Sequence, residues 1–200
     1  MNGSWSSLFR SELLKGNICY RWSSVIVHNP SSEWLHAEGW RFVQEAVPIT
    51  CVDVLPMSSR QGTPPQIGLI LRDTPQQGRR WCLIGGRLLR NEPLKDAIKR
   101  QFLETLGNEV KFELVADPQP LYVAQYFTFP RPDTGWDTRQ HAVGLIFSVE
   151  VSGNHYASGE AHDFAFFSAD SLPSPREIGF NQHPILLECL RRLQFRDANR

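Results

Sequence analysis

The sequence predicts a domain of mixed α and β structure, and three observations carry this prediction. Apolar side chains repeat at helical spacing in residues 93–106 and again in residues 183–195. Six or seven short segments are rich in β-branched and aromatic residues, as strands usually are. One of them, residues 141–151, is almost continuously apolar before it alternates, which predicts a buried central strand.

The predicted elements follow one another along the chain with recognisable boundaries. A capping serine before an acid at residues 31–33 predicts the start of a first helix, and Pro48 ends it. Pro93 suits the first turn of the next helix, because its missing N–H is not needed there, and Gly107 is placed to end that helix. The predicted strands cover residues 48–55, 66–72, 81–84, 111–115, 121–129, 141–151 and 164–167. Loops are predicted at residues 56–65 and 133–137.

The chain is predicted to divide near residue 30. Residues 1–30 have weak periodicity and many serines, asparagines and glycines, which predicts an N-terminal extension. Residues 31–200 are long enough for one domain, and 41% hydrophobic residues are enough for a real core.

Composition excludes several classes of function. The 21 basic and 21 acidic side chains cancel, so no general affinity for nucleic acid or an anionic membrane is expected. No run approaches the ~20 apolar residues of a membrane span, and the N-terminus has no signal-peptide pattern. The cysteines are scattered and show no metal-binding spacing, which favours buried free thiols in a reducing cytoplasm. They are Cys19, Cys51, Cys82 and Cys189.

Residues 86–107 form the most informative segment of the chain. Its residues resemble the Nudix box, G-x5-E-x7-R-E-U-x-E-E-x-G, in which U is a bulky apolar residue. The positions that match are Gly86, Glu92, Arg100, Phe102, Glu104 and Gly107. Gln101 and Thr105 depart from the pattern, because the family usually has glutamate at both positions. The resemblance implies an α/β/α sandwich with a mixed β-sheet, and a Mg²⁺-dependent hydrolase of nucleoside diphosphate compounds.

The spacing of the box helix places positions 101, 104 and 105 on one face, where carboxylates could hold Mg²⁺. In this chain only Glu104 brings a charge, while Gln101 offers a carbonyl and Thr105 a hydroxyl. Two interpretations of Glu104 stay open: a ligand of Mg²⁺ (or Mn²⁺), together with the Gly85 carbonyl and substrate oxygens, or a solvated residue paired with Arg100.

The rest of the box is expected to be structural. In the resemblance, Glu92 and Arg100 pair and fix the loop against the helix. The double glycine Gly85-Gly86 directly follows the apolar strand 81–84, and it predicts a turn whose backbone path other residues would resist.

Within the superfamily, residues 48–172 look like the GDP-mannose mannosyl hydrolase branch, which cleaves the sugar–phosphate bond. The resemblance implies that Asp53 assists the leaving group and that Arg72 and Arg87 bind phosphate. His162, in the sequence Ala-His-Asp, takes the place of the general base. An ordinary exposed histidine is the alternative for this residue.

Two departures from this branch concern its metal site. Ala161 stands where the branch has a metal-binding glutamine, and Thr105 stands where it keeps its box carboxylate. From Trp34 onward the chain also resembles a group of uncharacterised actinobacterial Nudix-like proteins, which supports the fold and no activity.

Three further residues are candidates for contacts with a ligand. His141 opens the long apolar strand and either binds a base or sugar or caps the strand end. Trp136, in the loop 133–137, is the better candidate for stacking on a nucleobase, while Trp81 is expected to pack in the core.

The sequence leaves two main functional hypotheses and a third that is compatible with either of them. The first is a Mg²⁺-dependent hydrolase of a nucleoside diphosphate derivative, for example a nucleotide-sugar. The second is a Nudix-fold module that binds such a small molecule without cleaving it, which the neutral residues at 101 and 105 favour. A third hypothesis is a protein–protein adaptor, in which residues 1–30 and the closing helix form a homodimer, and such dimerisation is compatible with both of the others.

Overall fold

The computed structural model describes residues 35–58 and 66–198, with side chains up to residue 194. Residues 33–200 belong to one compact unit, Glu33–Arg200. The predicted extension 1–30, the predicted helix start at 31–33 and Cys19 lie outside the described residues.

Three α-helices and nine strands lie in the described part of the chain. They are α1 (Ala37–Ala46), β1 (Ile49–Ser58), β2 (Gln66–Thr74), β3 (Gly78–Cys82), β4 (Ile84–Arg87), α2 (Leu94–Leu106), β5 (Val110–Phe112), β6 (Tyr122–Phe127), β7 (Gly135–Trp136), β8 (Ala142–Gly153), β9 (Ala161–Ser168) and α3 (His183–Ala198). Two short 3-10 helices, Ala169–Ser171 and Gly179–Asn181, precede α3. None of the helices described has the length and apolar character needed to cross a membrane.

The strands form a mixed sheet with β1 and β8 at its centre. The main order is β3-β2-β1-β8-β6-β7, while β4 pairs with β1, β5 with β8, and β9 with β2. The β1–β8 and β6–β7 pairs are parallel and the others are antiparallel. This arrangement confirms the predicted α/β fold class with a mixed sheet.

Helix α2 packs its predicted apolar stripe into the core. Ala97, Ile98, Phe102 and Leu106 are fully buried, and burial of such side chains stabilises the fold by about 1.5–3 kcal/mol for each large one. Gly107 ends the helix with a φ of 79°, a conformation that favours glycine. The helix end is therefore the one that the sequence predicted.

The double glycine does not form the predicted turn. Gly85 and Gly86 lie inside strand β4, and neither has a positive φ. A side chain at Gly85 would collide with the carboxylate of Asp53, its partner on β1, and one at Gly86 would come within 2.8 Å of the Gln101 amide nitrogen. Glycine is required here because neighbouring side chains fill the space, and not because the chain turns.

Other boundaries also differ from the prediction. Helix α1 begins only at Ala37, because the His36 side chain caps it by accepting a hydrogen bond from the Gly39 N–H at 3.4 Å. Strand β1 continues through Pro56, because its parallel pairing with β8 persists to Met57. The predicted strand 81–84 is divided between β3 and β4, and the predicted loop 133–137 contains β7.

Candidate functional site

A cavity of about 220 Å³ lies beside the centre of the sheet. Strand β1 contributes Asp53, β2 contributes Arg72, and β4 contributes Gly85, Gly86 and Arg87. The other lining residues are Trp40, Gln44, Cys51, Leu83, Tyr126, Asp137, Arg139, Gln140, Ala142, Glu160, Phe180 and Gln182. The structure therefore brings together five residues that the sequence analysis singled out.

Asp53 is held in a buried chain of hydrogen bonds. The Tyr126 hydroxyl donates to Asp53 Oδ2 at 3.1 Å, and Gln182 Nε2 donates to the same hydroxyl at 3.1 Å. The Leu83 N–H donates to Gln182 Oε1 at 2.9 Å. Burial raises the pKa of Asp53 to about 7, although the Tyr126 hydrogen bond and Arg72 oppose this rise. The carboxyl group can therefore exchange a proton near neutral pH.

Arg72 and Glu160 form an ion pair in the cavity, with 2.6 Å between Nη1 and Oε1. The β2–β9 ladder shifts its register between Leu71 and Arg72, and such irregularities redirect side chains. Nε of Arg72 is buried and has no hydrogen-bond partner in the described residues. Burial raises the pKa of Glu160, while Arg72 and Arg139 lower it.

Arg139 reaches the same cavity from the segment between β7 and β8. Its Nε and Nη2 donate to the two oxygens of Asp137 at 2.9 and 2.8 Å, and its backbone N–H adds a third bond at 3.0 Å. These hydrogen bonds raise the pKa of Arg139, so its guanidinium stays protonated. The ring of Phe180 lies 5.7 Å from the guanidinium carbon of Arg72 and 5.7 Å from that of Arg139.

The turn that presents Phe180 has an uncommon backbone. Phe180 and Asn181 have φ values of 54° and 53°, in the left-handed region that non-glycine residues rarely adopt. The Phe180 N–H donates to Gln77 Oε1 at 2.8 Å, and Asn181 Nδ2 donates to the Thr134 carbonyl at 2.6 Å. Such conformations persist where the surroundings fix them and occur often at ligand sites.

Helix α1 forms another wall of the cavity. The Arg87 guanidinium carbon lies 4.5 Å from the centre of the Trp40 ring, within the range of a cation–π contact. One turn further, Gln44 Nε2 donates to Gln140 Oε1 at 2.8 Å and links α1 to the segment before β8.

The box residues Glu92 and Arg100 form a two-point ion pair. Nε and Nη2 of Arg100 donate to the two Glu92 oxygens at 2.6 and 2.9 Å. Glu92 also accepts the Leu89 N–H, and Arg100 donates to the Arg87 carbonyl. These contacts join the loop before α2 to the helix and to the end of β4.

Glu104 does not line the cavity. Its side chain is 61% exposed and lies 3.4 Å from Arg100 Nη1. Gln101 and Thr105, in contrast, are 5% and 3% exposed and belong to the buried face of α2. The three positions that could act together as ligands therefore do not share one accessible face.

Nudix hydrolases generally use divalent metals, and the donor groups in the described part of the chain do not fit such a site. In the described residues, no group of three His, Cys, Asp or Glu side chains is placed to hold a metal ion. The cavity carboxylates Asp53, Asp137 and Glu160 are each engaged by a protein partner.

Three predicted site residues, the general base His162 and the substrate-binding residues His141 and Trp136, lie apart from the cavity lining. His162 Nε2 is 2.7 Å from Asp73 Oδ2, and both side chains are exposed. The His141 ring stacks on Phe127 at 4.9 Å between centroids, and Trp136 is half-buried. His141 Nε2 and Trp136 Nε1 are buried without a hydrogen-bond partner in the described residues.

The sequence did not predict Glu160 and Arg139 as site residues. Glu160 lies two positions before His162, so the acid in the same loop was an available signal. Arg139 belongs to the polar segment 137–140 directly before His141, which was a signal for a ligand site, but only the folded sheet brings this segment beside β2. Trp81 packs against Phe167, with 5.1 Å between ring centroids, as expected of a core residue. Cys51, Cys82 and Cys189 are free thiols.

The chain is similar in sequence to one protein family and in structure to several solved proteins. The family described as "Domain of unknown function (DUF4916)" matches residues 30–182. No curated protein matches the chain in sequence. A solved structure from Jonesia denitrificans, described as a possible asymmetric diadenosine tetraphosphate (Ap4A) hydrolase, is 29% identical with a TM-score of 0.66. The match covers 74% of this chain and 95% of that one.

More distant structures share the fold. A MutT Nudix hydrolase from Burkholderia pseudomallei is 21% identical, with a TM-score of 0.52 and coverage of 72% of this chain and 97% of that one. The Nudix domain of Shewanella oneidensis NrtR, solved with ADP-ribose, is 15% identical, with a TM-score of 0.51 and coverage of 80% and 99%.

These relatives confirm the predicted Nudix fold. The GDP-mannose mannosyl hydrolase branch stays a prediction. The chain belongs to the DUF4916 family, a domain of unknown function, and has the fold of the Nudix hydrolases to which its structure is similar.

Proposed function

We propose that this protein hydrolyses a nucleoside diphosphate derivative in the described cavity, with the diphosphate held between Arg72 and Arg87. The observation that carries this proposal is that the two arginines, from different strands, line one cavity together with Gly85 and Gly86. Guanidinium groups bind phosphate oxygens through paired N–H donors. Both glycines bring the backbone of β4 to the lining of the cavity.

The names of two relatives agree with this class of ligand. Ap4A, in the name of the Jonesia protein, and ADP-ribose, in the Shewanella complex, both contain phosphates joined to a nucleoside. A nucleotide-sugar, which the resemblance to the mannosyl hydrolase branch predicts, belongs to the same chemical class.

Two carboxyl groups of the cavity suit proton transfer. Glu160 is 42% exposed in its side chain and can meet a water molecule, and its raised pKa makes it a better proton acceptor. In the proposed reaction, Glu160 takes the proton of the attacking water and Asp53 protonates the leaving oxygen. No step depends on Mg²⁺ or Mn²⁺, because the donor groups do not fit the ion.

The proposed bases can be compared directly. Glu160→Gln should lower kcat by about 100-fold or more, because general base catalysis contributes about that factor. His162→Ala should change kcat by less than about threefold, because His162 pairs with Asp73 outside the cavity lining. A large loss in His162→Ala with normal activity in Glu160→Gln would reverse the assignment in favour of the base that the sequence predicted.

A ligand panel tests the proposal itself. ADP-ribose, GDP-mannose and Ap4A are each added with Mg²⁺, with Mn²⁺ or with EDTA, while thermal shift and product release are measured. We expect binding and release for at least one of them. Arg72→Ala and Arg87→Ala should each weaken binding by about tenfold or more, and Arg90→Ala, an exposed arginine outside the cavity lining, serves as the control. Absence of a shift with every ligand would refute the proposal.

A second candidate function is binding without cleavage. The specific observation in its favour is that Gln101 and Thr105 are neutral and buried where the family usually has acids. A thermal shift that survives EDTA, with no product released over hours, would select this function over hydrolysis.

A further inference from the structure

We infer that Trp40, Gln44 and Gln140 form a subsite for the nucleobase of the ligand. We call these three residues the amide wall. All three line the cavity, two from α1 and one from the segment before β8. The inference rests on the proposed function, because it takes the ligand to be a nucleotide.

The hydrogen bond between the two glutamines leaves complementary groups unused. Gln44 Nε2 donates to Gln140 Oε1, which leaves the Gln44 carbonyl oxygen and the Gln140 amide nitrogen with no protein partner among the described residues. Neither atom is sealed from solvent, since neither is among the buried polar atoms that lack a partner. Reversing both amides would also leave one donor and one acceptor.

A neighbouring donor and acceptor match the edge of a nucleobase. Adenine presents an amino donor beside a ring-nitrogen acceptor, and glutamine amides commonly pair with that edge. Guanine and cytosine also carry adjacent donors and acceptors. Inorganic pyrophosphate offers mainly acceptor oxygens and has no flat ring with an adjacent donor and acceptor, so it cannot match the wall as a base does.

Trp40 adds a flat apolar surface and fixes the order of the two subsites. Base–aromatic stacking contributes to nucleotide binding independently of sequence. The same indole ring contacts the Arg87 guanidinium, with 4.5 Å between the ring centre and the guanidinium carbon. The amide wall therefore lies next to a proposed phosphate-binding arginine. In a nucleotide the base is likewise close to the diphosphate, with only the ribose between them.

The amide wall differs from the arginines in charge. Its two glutamines are neutral, so their contribution to binding should depend little on salt, whereas phosphate binding by arginine weakens as salt screens the charges. The ratio of ADP to pyrophosphate affinity should therefore stay nearly constant with ionic strength while both affinities fall.

Calorimetric titration of the full chain with ADP and with inorganic pyrophosphate tests the subsite. Wild type should bind ADP about tenfold or more tightly than pyrophosphate. Gln44→Ala and Gln140→Ala should each weaken ADP binding by about tenfold and change pyrophosphate binding by less than about twofold. Glu45→Ala, an exposed neighbour on α1, is the matched control and should change neither.

Three outcomes would overturn the inference. The first is equal affinity of wild type for ADP and pyrophosphate, a result that needs no variant and holds even if Gln140→Ala fails to fold. The second is an equal loss of affinity for ADP and for pyrophosphate in the glutamine variants, which would mean that the amide wall only shapes the cavity. The third is weaker ADP-ribose binding with unchanged ADP binding, which would place the distal sugar there. Failure of both ligands to bind wild type would refute the proposed function as well.

Discussion

A carboxyl group that titrates near neutral pH lies in the cavity at Asp53. The side chain is surrounded by strands, and the missing side chains of Gly85 and Gly144 leave room for its oxygens. Burial removes the water that would stabilise its charge, which raises its pKa to about 7. The pKa of Asp53 is thus raised by burial, in a space that the two glycines leave open for its carboxylate.

Asp53 makes stability depend on pH in a defined direction. Its folded pKa of about 7 exceeds the unfolded value, so the folded protein holds a proton that the unfolded chain has already lost. The free energy of unfolding should fall as pH rises from about 4 to 7, by roughly 4 kcal/mol, and then level off. Urea melts across this range should show the slope in wild type.

Asp53→Asn should remove most of that slope, since an amide does not titrate. Asp170→Asn is the control, because Asp170 is an exposed aspartate in a short 3-10 helix. Parallel curves for wild type and Asp53→Asn would contradict the assigned pKa.

At the scale of elements, α2 is the structural centre of the box. Two ion pairs of unequal burial converge on Arg100 from this region: Glu92 is 11% exposed, whereas Glu104 is 61% exposed. A charged hydrogen bond stabilises a fold by about 1.5–3 kcal/mol when it is shielded from water, and an exposed pair by less than about 1 kcal/mol.

Glu92→Gln should therefore lower the free energy of unfolding by about 2 kcal/mol, and Glu104→Gln by less than about 0.5 kcal/mol. Denaturant titration of both variants measures the difference. Glu104→Gln should also keep its turnover, because Glu104 does not line the cavity. Loss of turnover with an unchanged melting curve would restore Glu104 as the metal ligand that the sequence predicted.

The sequence predicted elements better than it predicted their contacts. The stripe on α2 and the apolar strand β8 were recognisable, because helical and strand periodicity reflect which face is buried. Strand β4 was not recognisable, because glycines usually mark turns. The side chains that leave no room for anything larger than glycine, Asp53 and Gln101, are distant from β4 in the sequence. Arg72 and Arg87 could be paired through the family resemblance, whereas the approach of Arg139 depends on sheet topology.

At the scale of the whole molecule, charge is balanced and locally concentrated. The formal net charge is zero, yet Arg72, Arg87 and Arg139 line one cavity. A neutral protein does not attract anions over long distances. Selectivity for phosphate should therefore come from the cavity, and not from the surface as a whole.

Every described residue that lines the cavity belongs to the compact unit Glu33–Arg200. A chain that begins at Glu33 should fold alone, with a Tm within about 2 °C of the full protein and the same affinity for ADP. Calorimetry and size-exclusion chromatography of both chains would check this. A large fall in Tm would show that residues 1–32 complete the domain, and a loss of dimer would support the predicted role of residues 1–30 in association.

The packing of Gln101 against Gly86 limits any attempt to introduce, by mutagenesis, the glutamates that the family usually has at positions 101 and 105. Glutamates at 101 and 105 would place two like charges on a face of α2 that water scarcely reaches. The two substitutions should destabilise the fold before a metal ion could bind. Residues of β4 that pack against α2 would therefore have to be changed as well. A fully acidic box should therefore need changes at several packed positions, and not at residues 101 and 105 alone.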